Sequence, residues 1–381
     1  MDFNLSEEQV AIQDMARAFA ADNFAPKASI WDQEEIFPEE ELRCAAELGL
    51  AGIYISPKFG GAGLGRLEAV IIFEELAAAC PSTAAYLTIH NMVSWMVDSF
   101  ASDAVKERFL PDLTSMNKMS SYCLTEANSG SDAASLKTEA RKEGNSHYII
   151  NGSKSFISGG SKSDVYAVMC RTGKPGPSGI SCILVENGTE GLSFGAKERK
   201  MGWNSQHTAA VNFDECRVPV DNLVGREGDG FKIAMAGLDG GRVNIGACSI
   251  GGARAALQAA KEHAMNRKQF GQPISEFQSV QFKLADMATE IETGRLMLYR
   301  AAQSLDSVSP DSTMHCAMAK QWATDVGSKV CNEALQIHGG YGYLKDFPLE
   351  KLVRDLRVHQ ILEGTNEIMR LIIARRLLAK T

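Results

Sequence analysis

The sequence predicts an α+β multidomain fold: an N-terminal all-α domain over residues 1–120, a middle β-domain over 121–228 and a C-terminal four-helix bundle over 229–381. Three observations predict it. Apolar residues recur at helical spacing early in the chain, with Ile12, Met15 and Phe19 on one face. Short β-branched runs between Gly, Pro and Ser turns fill the middle. Long Ala-rich segments resume at Gly230. At 381 residues the chain also exceeds the size at which a single core keeps growing.

Each element has a local reason. Ser6 and Gln9 are spaced for a capping box, and Leu5 and Val10 for a hydrophobic staple. Pro26 ends or kinks the helix that follows. Residues 67–79 and 84–100 read as further helices. The glycine cluster at 59–65 lacks the spacing of a dinucleotide loop and the Lys-Ser/Thr pair of a P-loop, so it reads as a flexible turn. Residues 148–152 read as a strand entering a type I′ hairpin at Asn151-Gly152. Residues 165–171, 180–185 and 208–213 are strands, and 174–177 is a surface loop. Segments 231–266, 277–304 and 312–337 have lengths that suit an antiparallel bundle.

Composition narrows the function. No run of about 18 apolar residues exists, so no membrane span is expected. The first residues carry acids and no basic or apolar export signal. Nine cysteines stand singly, which argues for a reducing compartment and against a disulfide scaffold or metal site. A bacterial cytoplasm is the favoured location, with a mitochondrial matrix the alternative for a processed chain. A formal charge of -8 makes nucleic acid an unsuitable partner, while a few Arg residues or helix N-termini can still hold a phosphate-bearing ligand.

Glu363 is the leading candidate for chemistry. It follows apolar Ile361 and Leu362, which would desolvate it and raise its pKa, and Gly364 leaves room for a substrate at the backbone. The plainer reading of the same segment is a helix start capped by Thr365, and it does not account for Glu363. The run from Tyr122 to Asp132 suits either a heterocycle-and-phosphate cradle or a turn-rich linker. Phe156 suits ring stacking or a strand core. Arg267 suits a pyrophosphate or a helix C-terminus. Gln336-Ile337-His338-Gly339-Gly340 ends a helix and permits close backbone approach. Gly240 and Gly241, inside a predicted helix, cost roughly 1 kcal/mol each against Ala, which points to something needing space beside them. Asp239 and Arg242 are spaced for a surface ion pair.

In this order these motifs resemble the acyl-CoA dehydrogenase family over essentially the whole chain. The resemblance is carried by Tyr122-Cys123-Leu124-Thr125-Glu126 with Gly130-Ser131-Asp132, Lys154-Ser155-Phe156-Ile157-Ser158-Gly159, Arg267-Lys268-Gln269-Phe270-Gly271, Gln336-Ile337-His338-Gly339-Gly340-Tyr341-Gly342-Tyr343 and Leu362-Glu363-Gly364-Thr365-Asn366-Glu367. Ile53-Tyr54-Ile55, Ile89-His90-Asn91-Met92, Ser121 and Gly202-Trp203-Asn204-Ser205-Gln206 are similar to members acting on isobutyryl-CoA.

The resemblance implies FAD as cofactor, a homotetramer built as a dimer of dimers, and electron-transfer flavoprotein as electron acceptor. It implies oxidation of a short branched acyl-CoA, isobutyryl-CoA to methacrylyl-CoA as in valine catabolism. Glu363 would abstract the α-proton, and its N–H and a flavin hydroxyl would polarise the thioester. Tyr122, Cys123, Leu124, Thr125, Ser131, Phe156, Ile157 and Ser158 would cradle the flavin. Arg267, Phe277, Gln278, Gln336, Ile337, His338, Gly339 and Gly340 would reach the FAD of a neighbouring subunit, and Thr365, Asn366 and Glu367 would also touch FAD. Ser131, Asp239, Gly240, Gly241, Arg242 and Arg375 would contact acyl-CoA. Ala127-Asn128 replaces the Pro-Gly often found in the family. Relatives that carry the base on a helix have it where this chain has Gly241. Alternatives on the same scaffold are a 2-methylbutyryl-CoA or short straight-chain dehydrogenase and an oxidase; the alternative of another class is a non-catalytic helical scaffold.

Overall fold

The computed structural model describes residues 4–379, so the segment read for an export signal begins outside the described residues. The N-terminal helices are α1 (Glu7–Phe19), α2 (Ala28–Gln33), α3 (Glu39–Glu47), α4 (Arg66–Ala79), α5 (Pro81–Phe100) and α6 (Asp103–Thr114). The capping box of α1 forms as spaced: the Gln9 N–H donates to Ser6 Oγ at 3.2 Å and the Ser6 N–H to Gln9 Oε1 at 3.1 Å. The glycine cluster is tied down rather than loose. The N–H groups of Ala62, Gly63 and Leu64 donate to the carbonyls of Gly52, Ile55 and Ile53 at 2.8, 3.0 and 2.9 Å. Helices α4 and α5 are apolar nearly all round and lie buried between neighbours.

The middle section holds β1 (Ser120–Cys123), β2 (Glu139–Glu143), β3 (His147–Ser158), β4 (Val165–Arg171), β5 (Ile180–Glu186), β6 (Leu192–Phe194), β7 (Thr208–Pro219) and β8 (Leu223–Val224). They form an eight-stranded sheet in the order β6-β7-β3-β2-β4-β5-β8, with β1 added parallel to β4. The hairpin expected at Asn151-Gly152 is not there. Those residues lie inside β3, and the turn falls between Glu143 and His147. The pair instead makes a bulge, where the register against β7 shifts between Ile150 and Gly152. Tertiary contacts explain it. Asn151 Nδ2 donates to Glu215 Oε1 at 2.7 Å and the Glu215 N–H to Asn151 Oδ1 at 2.8 Å. Gly152 has φ 144°, and a Cβ there would sit 2.6 Å from Thr138 Oγ1.

The C-terminal part consists of α7 (Gly230–Asn266), the short hairpin β9 (Lys268–Gln269) and β10 (Gln272–Pro273), then α8 (Gln278–Asp306), α9 (Ser312–His338), α10 (Leu349–Arg357) and α11 (Asn366–Leu378). Helix α7 is central: it packs on α8 and α9 on one side and on α4 and α5 on the other. A buried ion network fastens this junction. Glu74 pairs with Arg295 at 2.8 Å and Arg254 at 3.2 Å, and Glu75 pairs with Arg254 at 2.6 Å and Arg17 at 3.1 Å. Removing one partner would strand a buried charge, so the network fixes how α4 meets α7. Among the described residues no helix is long and apolar enough to cross a membrane.

Candidate active site

The segment between α10 and α11 is shaped by two left-handed residues, Glu363 at φ 55° and Gly364 at φ 90°. For a non-glycine residue that conformation costs about 1–2 kcal/mol, so something must hold it. Arg242 Nε donates to the Glu363 carbonyl at 3.3 Å, and Lys320 Nζ donates to the Gly364 carbonyl at 2.8 Å and to Asn366 Oδ1 at 2.9 Å. Just beyond, the Ile368 N–H donates to Thr365 Oγ1 at 3.3 Å, so Thr365 is the cap the sequence gives it. The capped helix therefore forms, and Glu363 stands just before it in the left-handed turn.

The Glu363 carboxylate is packed against the backbone of α7. A Cβ built on Gly241 would lie 2.1 Å from Glu363 Oε2, which is why a glycine stands inside this helix. The residue as a whole is half-buried, but Oε2 is enclosed and has no hydrogen-bond partner among the described residues. Burial pushes the carboxyl up to about 7, against the opposing pull of Lys320 and Arg242. The shielding does not come from Ile361 as expected, since that side chain is 52% exposed. It comes from α7 and from across the fold. Tyr122 Oη is also buried without a hydrogen-bond partner among the described residues, and burial, with the nearby Glu363 charge, raises its phenol.

Asp239 and Arg242 pair at 2.6 Å, but not at the surface: their side chains keep only 14% and 5% of their exposure. Asp239 Oδ2 also accepts from Thr313 Oγ1 at 2.7 Å, which leaves Arg242 Nε oriented toward the Glu363 carbonyl. The adjacent Gly240 makes room for Arg66, whose Nη1 would be 2.5 Å from an added Cβ. The Arg66 guanidinium is buried, 3.7 Å above the Tyr54 ring and 4.8 Å from that of Trp95. Tyr54 Oη accepts from Asn244 Nδ2 at 3.1 Å, and Asn244 Oδ1 is buried without a partner among the described residues. Lys320, Arg66 and Asn244 are not among the residues that the sequence singles out. Lys320 had a readable signal: a lone lysine on a buried face with Cys316, Ala319 and Ala323. Arg66 and Asn244 had none.

The remaining candidates fall into two places. In the β-section the Ser155 N–H donates to the Thr125 carbonyl at 2.8 Å, and Ser121 Oγ donates to the Ser158 carbonyl at 2.5 Å. Phe156 is not a core residue: it has φ 59° and is 66% exposed. Cys123 and Ile157 point into the sheet core and Leu124 into an apolar cluster against α5, and the Leu124 carbonyl accepts from Lys154 Nζ at 3.0 Å and that of Ile157 from the Gly160 N–H at 3.0 Å. Ser131 is exposed. The turn over Ala127-Asn128 closes without a left-handed residue, by reciprocal bonds of 3.0 and 3.1 Å between Glu126 and Ser129.

The second place is a cleft of about 500 Å³ that brings together Arg267, Ile337, His338, Gly339 and Gly340, and includes none of the residues around Glu363. His338 Nδ1 sits 2.9 Å from the Ala334 carbonyl, and its ring stacks on His263 at 4.3 Å. Arg267 lies 5.6 Å from the Tyr341 ring. Phe277, edge-on to Phe270 at 6.1 Å, and Gln278 open α8, and Gln336 is exposed on the last turn of α9. Glu367 and Arg375 are exposed on α11, while Asn366 is buried. Another cleft, of about 400 Å³, lies beside Glu74, Arg254 and Arg295 and belongs to the helix-packing network.

A helical–β–helical chain with an enclosed carboxylate facing a diglycine helix defines a class, and the chain belongs to the acyl-CoA dehydrogenase family. The acyl-CoA dehydrogenase N-terminal, middle and C-terminal domains match residues 6–117, 121–216 and 228–378. Among individual relatives, the chain is 55% identical to the mitochondrial isobutyryl-CoA dehydrogenase of Bos taurus and 56% identical to that of Dictyostelium discoideum, in each case over 98% of this chain and 90% of the relative. The butyryl-CoA dehydrogenase structure from Megasphaera elsdenii superposes with a TM-score of 0.97 at 39% identity, covering 100% of both chains.

Proposed function

We propose that this chain oxidises isobutyryl-CoA to methacrylyl-CoA, with Glu363 as the base that takes the α-proton. One observation carries the assignment of the base: an enclosed carboxylate oxygen without a partner, seated against a glycine that leaves space for it. The cofactor is FAD, which supplies the acceptor for the β-hydride when bound. The residues present fit it. Exposed Phe156 offers a ring face, Thr125 and Ser158 fix the backbone around it, and Tyr122 Oη awaits a partner.

In this reading Tyr122, Cys123, Leu124, Thr125, Ser131, Phe156, Ile157 and Ser158 cradle the flavin, with Thr365, Asn366 and Glu367 beside it. Arg267, Phe277, Gln278, Gln336, Ile337, His338, Gly339 and Gly340 serve the FAD of a neighbouring subunit. Ser131, Asp239, Gly240, Gly241, Arg242 and Arg375 hold acyl-CoA, and electron-transfer flavoprotein collects the electrons. A homotetramer is supported by exposed aromatic side chains on the C-terminal part, Phe270 at 94%, Tyr343 at 83% and Phe282 at 63%. Sedimentation of the holoprotein as a monomer would remove that part of the reading.

The chain's own contribution is proton transfer, orientation and exclusion of water. Glu363 acts only as the carboxylate, so its raised pKa of about 7 makes activity fall as pH drops below neutral. In this reading the Glu363 N–H donates to a developing enolate oxygen, from a residue whose own carbonyl Arg242 holds at 3.3 Å.

The test is anaerobic titration of the yellow holoprotein with isobutyryl-CoA. Bleaching of the flavin band at stoichiometric substrate is expected, with weaker responses to 2-methylbutyryl-CoA and butyryl-CoA. No bleaching with isobutyryl-CoA sinks the substrate assignment. Rapid oxygen consumption during aerobic turnover would make the protein an oxidase.

A further inference from the structure

Lys320 stands on α9 and is fully buried. Its ammonium donates to the Gly364 carbonyl at 2.8 Å and to Asn366 Oδ1 at 2.9 Å. Both acceptors are neutral, and they lie one and three residues beyond the base. Among the described residues Lys320 forms no ion pair within 4.0 Å, so a buried positive charge is left over after its two hydrogen bonds to neutral acceptors are counted. A neutral donor would satisfy those acceptors at a smaller desolvation cost. The charge therefore calls for an explanation that the hydrogen bonds do not give.

Resting on the assignment of Glu363 as base, we propose that Lys320 is a positioning residue for the reaction: it clamps the left-handed 363–364 turn and supplies the buried charge that keeps the base carboxylate ionised. The groups that face Glu363 come from every side. They are Lys320 from α9, Arg242 and Cys248 from α7, Tyr122 from β1 and Tyr54 from the loop before α4. Lys320 in turn faces Asp325, Glu367 and Arg242, with buried neutral His359 nearby. Of the two cations, Lys320 has the larger pull on Glu363. Arg242 is already committed to Asp239 at 2.6 Å. Burial lowers Lys320 to about 8, against the opposing pull of Glu363.

The experiment is the pH profile of kcat/KM for isobutyryl-CoA with an artificial electron acceptor, measured on FAD-loaded wild type, Lys320→Met, Lys320→Gln and Lys320→Arg. An opposite charge within about 4–6 Å shifts a carboxyl by about one pH unit or more, and Lys320 holds the carbonyl of the residue next to the base at 2.8 Å. The acid limb of the Met and Gln variants is expected to move up by about one unit, which lowers kcat/KM roughly tenfold near pH 6. The Gln variant retains a donor for the clamp, so its high-pH plateau should stay within a few-fold of wild type. The Arg variant should keep the wild-type limb. A limb unmoved in the neutral variants, or moved in the Arg variant, overturns the proposal and leaves Lys320 a structural residue. If Lys320→Met fails to fold, the Gln and Arg variants decide. A Glu363→Gln enzyme with full turnover would instead overturn the base assignment, which separates the two failures.

Discussion

Glu363→Gln is expected to bind FAD normally and to lose about 10²- to 10⁴-fold in kcat/KM, the range set by removing a positioned general base. The fold should barely notice the change. The loop is held through its carbonyls, by Arg242 at Glu363 and by Lys320 at Gly364, and neither bond uses the carboxylate. Burying an amide in place of an acid that burial already pushes up to about 7 removes a desolvation cost. Anaerobic stopped-flow mixing with isobutyryl-CoA is the direct readout: the flavin band should bleach at a rate reduced by the same factor. Wild-type bleaching in this variant would mean that another group takes the proton.

The second large effect is expected at Gly241→Ala. An added Cβ would lie 2.1 Å from Glu363 Oε2 and 2.8 Å from its carboxyl carbon, so the carboxylate must move. A displacement on the order of 1 Å at a reacting group costs roughly 10²-fold in rate. The same change improves intrinsic helix propensity by about 1 kcal/mol in the interior of α7. Activity should therefore fall about 10²-fold while the thermal midpoint stays level or rises. That opposition distinguishes a displaced base from a damaged fold. Activity within twofold of wild type would show that the carboxylate does not rest on α7.

Several site features were readable because they are local. The Ser6–Gln9 box and the Thr365 cap are short-range bonds that residue type and spacing dictate, and both form. The tolerated glycines at 240 and 241 announced a need for space, though not what fills it. Other features reversed on folding. Asn151-Gly152 has the composition of a tight turn, yet Glu215 on a distant strand claims the Asn side chain and turns the pair into a bulge. Asp239 and Arg242 have the spacing of a surface pair, yet Glu363 and Thr313 arrive from elsewhere and bury them.

The sequence by itself determined the succession of helical, β and helical sections, singled out Glu363 as a candidate and marked two helical glycines as needing space, because periodicity, capping and backbone freedom act within a few residues. Only the tertiary structure decided what surrounds that acid. Lys320 lies 44 residues from Gly364, and Arg242 lies 121 from Glu363. A carboxylate's charge responds to whatever stands within a few ångströms, and that is set by packing rather than by chain order.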